Sequence, residues 1–251
     1  METVISTMRA TCRVIVTLLM LMLFPSIING KMYGLFYGVN SDGLRCPEND
    51  VSDLASLYRS KGGNVILIRG NKINKYVVIN NLKKQAMACT MNDILIFAYS
   101  GHGNNSLIMC GNTEYIPFYE IKQIISKSRA RRKVLILDSC RSGSIADTNG
   151  LVKDKLTQVV VFTSSRGTQD SWETRGKRNS VFFTLLLKGL RGKADYNHDK
   201  KVTASELYKY VSRSSYLQNP TMKGRFSRGL VLSTKCHLYT SQSQQDYREN
   251  R

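Results

Sequence analysis

The chain has 251 residues, with 37 Lys and Arg against 18 Asp and Glu, for a net charge of +19. That length suffices for one α/β domain with a substantial core. The positive excess suggests affinity for acidic surfaces. However, the basic residues are spread along the chain with no zinc-finger, RNP or basic-zipper pattern, which excludes the common sequence-specific nucleic-acid modules and favours a solvated basic surface.

The first predicted element is a leader. Arg9 and Arg13 precede Val14–Phe24, apolar apart from Thr17, and Pro25, Ser26 and Ile27-Ile28-Asn29-Gly30 follow. A basic segment, a short apolar run and a breaker make a signal peptide over residues 1–30. The apolar run is shorter than the roughly 20 residues that span a bilayer comfortably. The expectation is a secreted or cell-envelope protein, touching the membrane only through this leader and anchored there if the leader is not cleaved.

Strands are predicted near 32–39, 64–68, 93–99, 133–138, 158–163 and 229–232, and helices near 48–60, 74–88, 117–127, 179–190 and 203–213. The alternation predicts an α/β fold, a largely parallel sheet with helices on both faces. One domain is expected over 31–233, its larger section ending near 145 and its smaller section beginning near 156, with a polar tail over 234–251. Of the six cysteines, Cys12 lies in the leader; the five that remain are an odd number and leave at least one thiol even in an oxidising compartment. No C-x-x-C pair occurs, which argues against a zinc site.

Two of the predicted strands end in chemistry. Ile94-Leu95-Ile96-Phe97-Ala98 runs into Tyr99-Ser100-Gly101-His102-Gly103, and Val134-Leu135-Ile136-Leu137 runs into Asp138-Ser139-Cys140-Arg141-Ser142-Gly143. A His and a Cys just beyond two strand ends can meet above one sheet edge, where open α/β sheets place their sites. Together they supply a thiol nucleophile and a proton carrier.

These segments resemble the caspase-like cysteine peptidases, in particular the bacterial caspase-family and metacaspase branch. The resemblance runs from Met32 to about Ser233 and includes Gly38-Val39-Asn40, Glu48-Asn49-Asp50, Phe162-Thr163-Ser164-Ser165, Gln169-Asp170-Ser171 and Leu190-Arg191-Gly192. It implies a caspase-like sandwich and a cysteine endopeptidase with His102 and Cys140 as its dyad. It also implies an oxyanion site formed by the N–H groups of Gly103 and Cys140. Caspases proper carry Gln two residues before the cysteine; here Asp138 stands there, as in the metacaspase variant. That variant places acids at Asp50 and Asp138, with Ser100 nearby, which implies a pocket for Arg or Lys and protein substrates with basic residues at the cut. A non-catalytic caspase-like binding or scaffold protein is the alternative, opposed by the intact His102 and Cys140. An Asp-directed peptidase is another, opposed by the missing Gln.

One further pattern concerns a cation. Asp195, Asn197, Asp199, Thr203 and Glu206 have the oxygen spacing of an EF-hand loop, with Lys200 where the turn glycine belongs. The expectation is that no cofactor is required, with Ca²⁺ as the candidate ligand of Asp195, Asn197, Asp199 and Glu206. The same residues suit a polar turn followed by a capping box, Thr203 to Glu206, and the missing glycine favours that reading.

Overall fold

The structure, a computed structural model, describes residues 30–104, 106–111, 113–140, 148, 150–165, 176–215 and 219–234. The leader, the Gln169–Trp172 segment and the tail from 235 lie outside the described residues. The chain divides into two units, Met1–Gly30 and Lys31–Arg251; the second is described below.

In chain order the elements are β1 (Met32–Gly38), α1 (Pro47–Arg59), β2 (Asn64–Arg69), α2 (Lys75–Ala88), β3 (Ile94–Ser100), β4 (Leu107–Cys110), β5 (Glu114–Pro117) and α3 (Phe118–Lys127). There follow β6 (Arg132–Asp138), β7 (Gln158–Thr163), α4 (Val181–Lys188), a π-turn (Gly189–Lys193), β8 (Lys201–Thr203), α5 (Ala204–Ser214), β9 (Thr221–Arg225) and β10 (Val231–Thr234). Local chemistry explains the helix starts. Pro47 opens α1, with Glu48 and Asp50 in its first turn. The Asn74 side chain accepts from Val77 N at α2, and Ser180 accepts from Phe183 N at α4. Thr203 and Glu206 form a reciprocal capping box at α5.

Six strands form one sheet in the order β2-β1-β3-β6-β7-β9. The first five run parallel; β9 pairs antiparallel to β7. The central strand β3, Ile-Leu-Ile-Phe-Ala-Tyr-Ser, is buried along its whole length, as expected of a strand covered on both faces. Its alternate residues feed two cores. Leu95, Phe97 and Tyr99 pack with α2 and α3 residues such as Leu82 and Ile121. Ile94, Ile96 and Ala98 pack with Leu54, Phe183, Leu186 and Leu207 of α1, α4 and α5. Among the described residues, no helix is long and apolar enough to cross a membrane.

Three features differ from the sequence expectation. The hairpin β4–β5 interrupts the stretch before α3, and the short polar β9 closes the sheet. The predicted last strand is β10, which pairs with β8 outside the main sheet.

Candidate active site

Strand order reverses between β1 and β3: β2 lies on one side of β1, while β3, β6 and β7 follow on the other. Such a switch point opens a crevice at the carboxyl ends of the strands. Register then fixes who meets there. Gly38 of β1 pairs with Ser100 of β3, and Ser100 pairs with Asp138 of β6. His102 and Cys140 each stand two residues beyond that shared rung.

The His loop is held by its neighbours. Gly101 N donates to Asp138 O at 3.1 Å, tying the loop after β3 to β6. The His102 carbonyl accepts from Met109 N at 2.9 Å and lies 2.6 Å from the Tyr99 hydroxyl. Burial pushes the Tyr99 phenol well above its ordinary pKa and keeps it protonated. Gly103 is required by close approach. A Cβ there would sit 3.0 Å from Ser139 Oγ and 3.0 Å from Leu107 O. The two loops are therefore in contact one residue before Cys140. Gly103 also forms a bridge with Ile108, whose flanking bonds run from Asn104 N to Leu107 O and from Met109 N to His102 O. That pattern leaves the Gly103 N–H outside the ladder.

The His102 ring is aimed by a backbone group that carries no sequence signal. Its Nε2 lies 3.2 Å from Ser41 O. A carbonyl only accepts, so Nε2 bears the hydrogen and Nδ1 is the basic nitrogen of the neutral ring. Ser41 sits in the turn after β1, where Asp42 (φ 47°) and Gly43 (φ 89°) reverse the chain and Leu44 N bonds the same carbonyl at 3.0 Å. Asn40 and Glu48 fasten that turn to α1, Glu48 N donating to Asn40 Oδ1 at 3.1 Å. Cys46, Cys89 and Cys110 are buried thiols, whereas Cys140 is partly exposed. It follows a buried Ser139, whose carbonyl accepts from Ser165 Oγ at 3.4 Å.

Two carboxylates stand at the same edge, Asp138 at the end of β6 and Asp50 in the first turn of α1. Asp50 is fully buried and Asp138 nearly so, at 0 % and 4 % exposure. Asp50 accepts from Ser100 Oγ at 3.0 Å, Asn179 Nδ2 at 3.1 Å and Ser180 N at 3.0 Å. Ser180 Oγ donates to Asp138 at 2.6 Å while accepting from Phe183 N as the cap of α4. Ser180 thus joins both acids. Burial first, and then the charge of Asp138, push the Asp50 pKa well above the ordinary carboxylate range, against the three hydrogen bonds. Next to them Arg178 grips Asp53 with two nitrogens, at 3.0 and 2.8 Å, and offers its carbonyl to Asn49. Sequence reasoning missed Ser41, Asn179 and Ser180. The first acts through its main chain. The other two lie about 130 residues from Asp50, joined to it only by folding.

The residues expected as calcium ligands also accept hydrogen bonds within their own loop. Asp195 Oδ2 accepts from Lys200 N, Asn197 Oδ1 from Asp199 N, and Asp199 Oδ1 from Lys201 N. Glu206 Oε2 takes both the N–H and the hydroxyl of Thr203. Asp195 Oδ1 is buried with no hydrogen-bond partner among the described residues. Among the described residues no three His, Cys, Asp or Glu side chains gather in a way that could hold a metal ion. No step below uses a metal ion.

Comparison with known proteins follows the same geometry. The sequence profile of the Caspase domain matches residues 26–230. The chain belongs to the caspase-domain family. Members of that family are typically cysteine peptidases. Among solved structures, caspase-1 from Spodoptera frugiperda matches with a TM-score of 0.64 at 15 % identity, over 83 % of this chain and 92 % of that one. A protein from Geobacter sulfurreducens matches with a TM-score of 0.60 at 18 % identity, over 78 % of this chain and 94 % of that one. At such identities the likeness speaks for the caspase fold. No curated protein matches the sequence.

Proposed function

We propose that this protein is a cysteine endopeptidase that cuts after Arg or Lys, using His102 and Cys140. The observation that carries the reading is the register: both residues lie two places past the Ser100–Asp138 rung, with the buried Asp50–Asp138 pair at the same edge.

In this reading the Cys140 thiolate attacks the scissile carbonyl carbon, forming a C–S bond and placing negative charge on the oxygen. The Gly103 and Cys140 N–H groups receive that oxygen. His102 Nδ1, having taken the proton of the Cys140 thiol, carries it to the leaving amine as the C–N bond breaks. Water then attacks the thioester, His102 accepts its proton, and the thiol is released with the acid product. Ser41 O keeps the ring in the tautomer this cycle needs. The Arg or Lys side chain before the cut enters the acidic pocket, because a desolvated cation needs a carboxylate partner.

A fluorogenic peptide panel varying the residue before the cut tests both parts. Cleavage after Arg and Lys is expected, with Cys140→Ala and His102→Ala each reducing turnover by on the order of 10³-fold or more, and the double variant little worse than either. Asp138→Asn is expected to lower kcat/KM for basic peptides by about 3–5 kcal/mol. Near-normal turnover by Cys140→Ala overturns the mechanism. A preference for Asp before the cut overturns the pocket. Peptide binding without cleavage by the wild type turns the reading to a scaffold.

A further inference from the structure

At the amino ends of β6 and β7, the opposite edge from Cys140, lies a cavity of about 220 Å³. Ser128, Arg129 and Arg131 line it from the α3–β6 turn, Lys133 from β6, and Lys153 and Thr157 from the segment before β7. Lys133 is the unusual member. It follows the first residue of β6 and points to the same side as Leu135 and Leu137, and its exposure is only 1 %. Its Nζ makes one long hydrogen bond, 3.5 Å to Leu151 O, although an ammonium has three hydrogens to donate. A buried ammonium so poorly satisfied is costly unless an anion joins it.

The surrounding charge answers that need only in part, with one acid against four cations. Arg129, Arg131 and Lys153 add three further cations, and Arg129 Nε donates only to Cys89 O at 3.4 Å. Among the described residues Asp154 is the single acid in the lining. Its Oδ1 accepts from Leu156 N, Thr157 N and Thr157 Oγ1, holding its own turn. Four cationic side chains around one cavity match a ligand with several charged oxygens in a tetrahedral array better than a two-oxygen carboxylate.

We propose that this cavity binds a phosphate group, as inorganic phosphate or as the head of a small phosphomonoester. Bound there, it joins β6 and the α3–β6 turn to Leu151–Thr157, the stretch that leads from the Cys140 loop into β7. The site also has a pH signature. Burial, and next the charge of Lys153, lower the Lys133 pKa to about 8, against smaller opposing effects of Asp154 and Cys89. Cys89, raised by burial to about 11, stays neutral through that range. The anion prefers the ammonium form, so binding near pH 8 takes up a proton and weakens as the pH rises further.

Calorimetric titration of the full chain with inorganic phosphate, glycerol 3-phosphate and acetate, at an ionic strength held with sodium chloride, tests the proposal. One saturable site is expected for a phosphate at pH 7, at least tenfold weaker at pH 9.5. Lys133→Met should weaken it at least tenfold, and the exposed-side variants Arg131→Gln and Lys153→Gln severalfold each. These last two leave the buried strand intact and keep the test decisive if Lys133→Met misfolds. Tighter glycerol 3-phosphate supports an organic phosphate, and tighter inorganic phosphate supports the free ion. No saturable heat, acetate binding as well as phosphate, or unchanged binding in Arg131→Gln and Lys153→Gln would each overturn it.

Discussion

Asp50 shows what burying one carboxylate beside another costs the fold. Its raised pKa means that the native state binds a proton more readily than the unfolded chain does. Between the unfolded value near 3.8 and the raised native value, the native state therefore holds more protons, and stability falls as pH rises through that window. Above it the full cost of the buried, repelling pair is present. Asp50→Asn removes that charge and leaves an oxygen for Ser180 N. It is expected to raise stability at pH 7 by about 1–3 kcal/mol, to leave stability near pH 3 little changed, and to abolish the preference for basic peptides. Urea denaturation at the two pH values checks this; a variant less stable than wild type at both refutes it. Under the proposed function the same chemistry gives catalysis a pH dependence. A substrate cation needs the pair ionised, so KM for basic peptides should rise as pH falls through the Asp50 titration, while a peptide with no cation should not respond in that way. Residues whose chemistry lies in the side chain, such as His102, Cys140, Asp50 and Asp138, were open to reading from sequence. Ser41 was not, since any residue carries a carbonyl and only the turn at Asp42–Gly43 aims this one.

At the scale of elements, legibility followed burial. β1, β3, β6 and β7 are apolar runs with a turn signal at each end, and α2, α4 and α5 each start on a side-chain cap, while α1 starts on Pro47. β4, β5 and β8 are three or four residues long, too short for alternation to register, and β9 is the polar Thr-Met-Lys-Gly-Arg. The loop before α5 adds a different lesson. The sequence puts Lys200 where a calcium loop turns on glycine, and the backbone makes that turn anyway, with Lys200 at φ 65° and His198 at φ 60°. Asx bonds from Asp195, Asn197 and Asp199 hold it there. A left-handed lysine costs about 1–2 kcal/mol, and glycine gives back part of the gain through its freer unfolded chain, about 0.4–1 kcal/mol. Lys200→Gly should therefore stabilise the protein by about 0.5–1 kcal/mol, measured as a higher urea midpoint at unchanged slope. A lower midpoint would mean that the lysine side chain contributes more than its backbone loses.

At the scale of the whole molecule, the sheet determines where chemistry and association can occur. Its carboxyl edge gathers His102, Cys140 and the acid pair, and its amino edge gathers the cations around Lys133. Its two lateral edges are β2 and β9. An edge strand presents unpaired backbone groups to any other chain, and proteins blunt such edges with charge, especially Lys. β9 fits that description: Lys223, Gly224 and Arg225 are all exposed. Gly224 has φ 140°, and a Cβ there would lie 2.0 Å from Val159 O, so β9 is pressed against β7 on its inner side, and among the described residues no strand pairs with its outer one. Arg225 also reaches Lys155 O at 3.3 Å, which leaves Lys223 as the simpler guard to remove. Lys223→Val makes the exposed edge more apolar and β-prone while leaving the core untouched, and should promote self-association. Lys223→Glu keeps a charge at the edge and should not. Sedimentation velocity on the three proteins at matched concentrations separates the cases. If Lys223→Val sediments like the wild type, the edge is protected by its twist and shortness rather than by its charge.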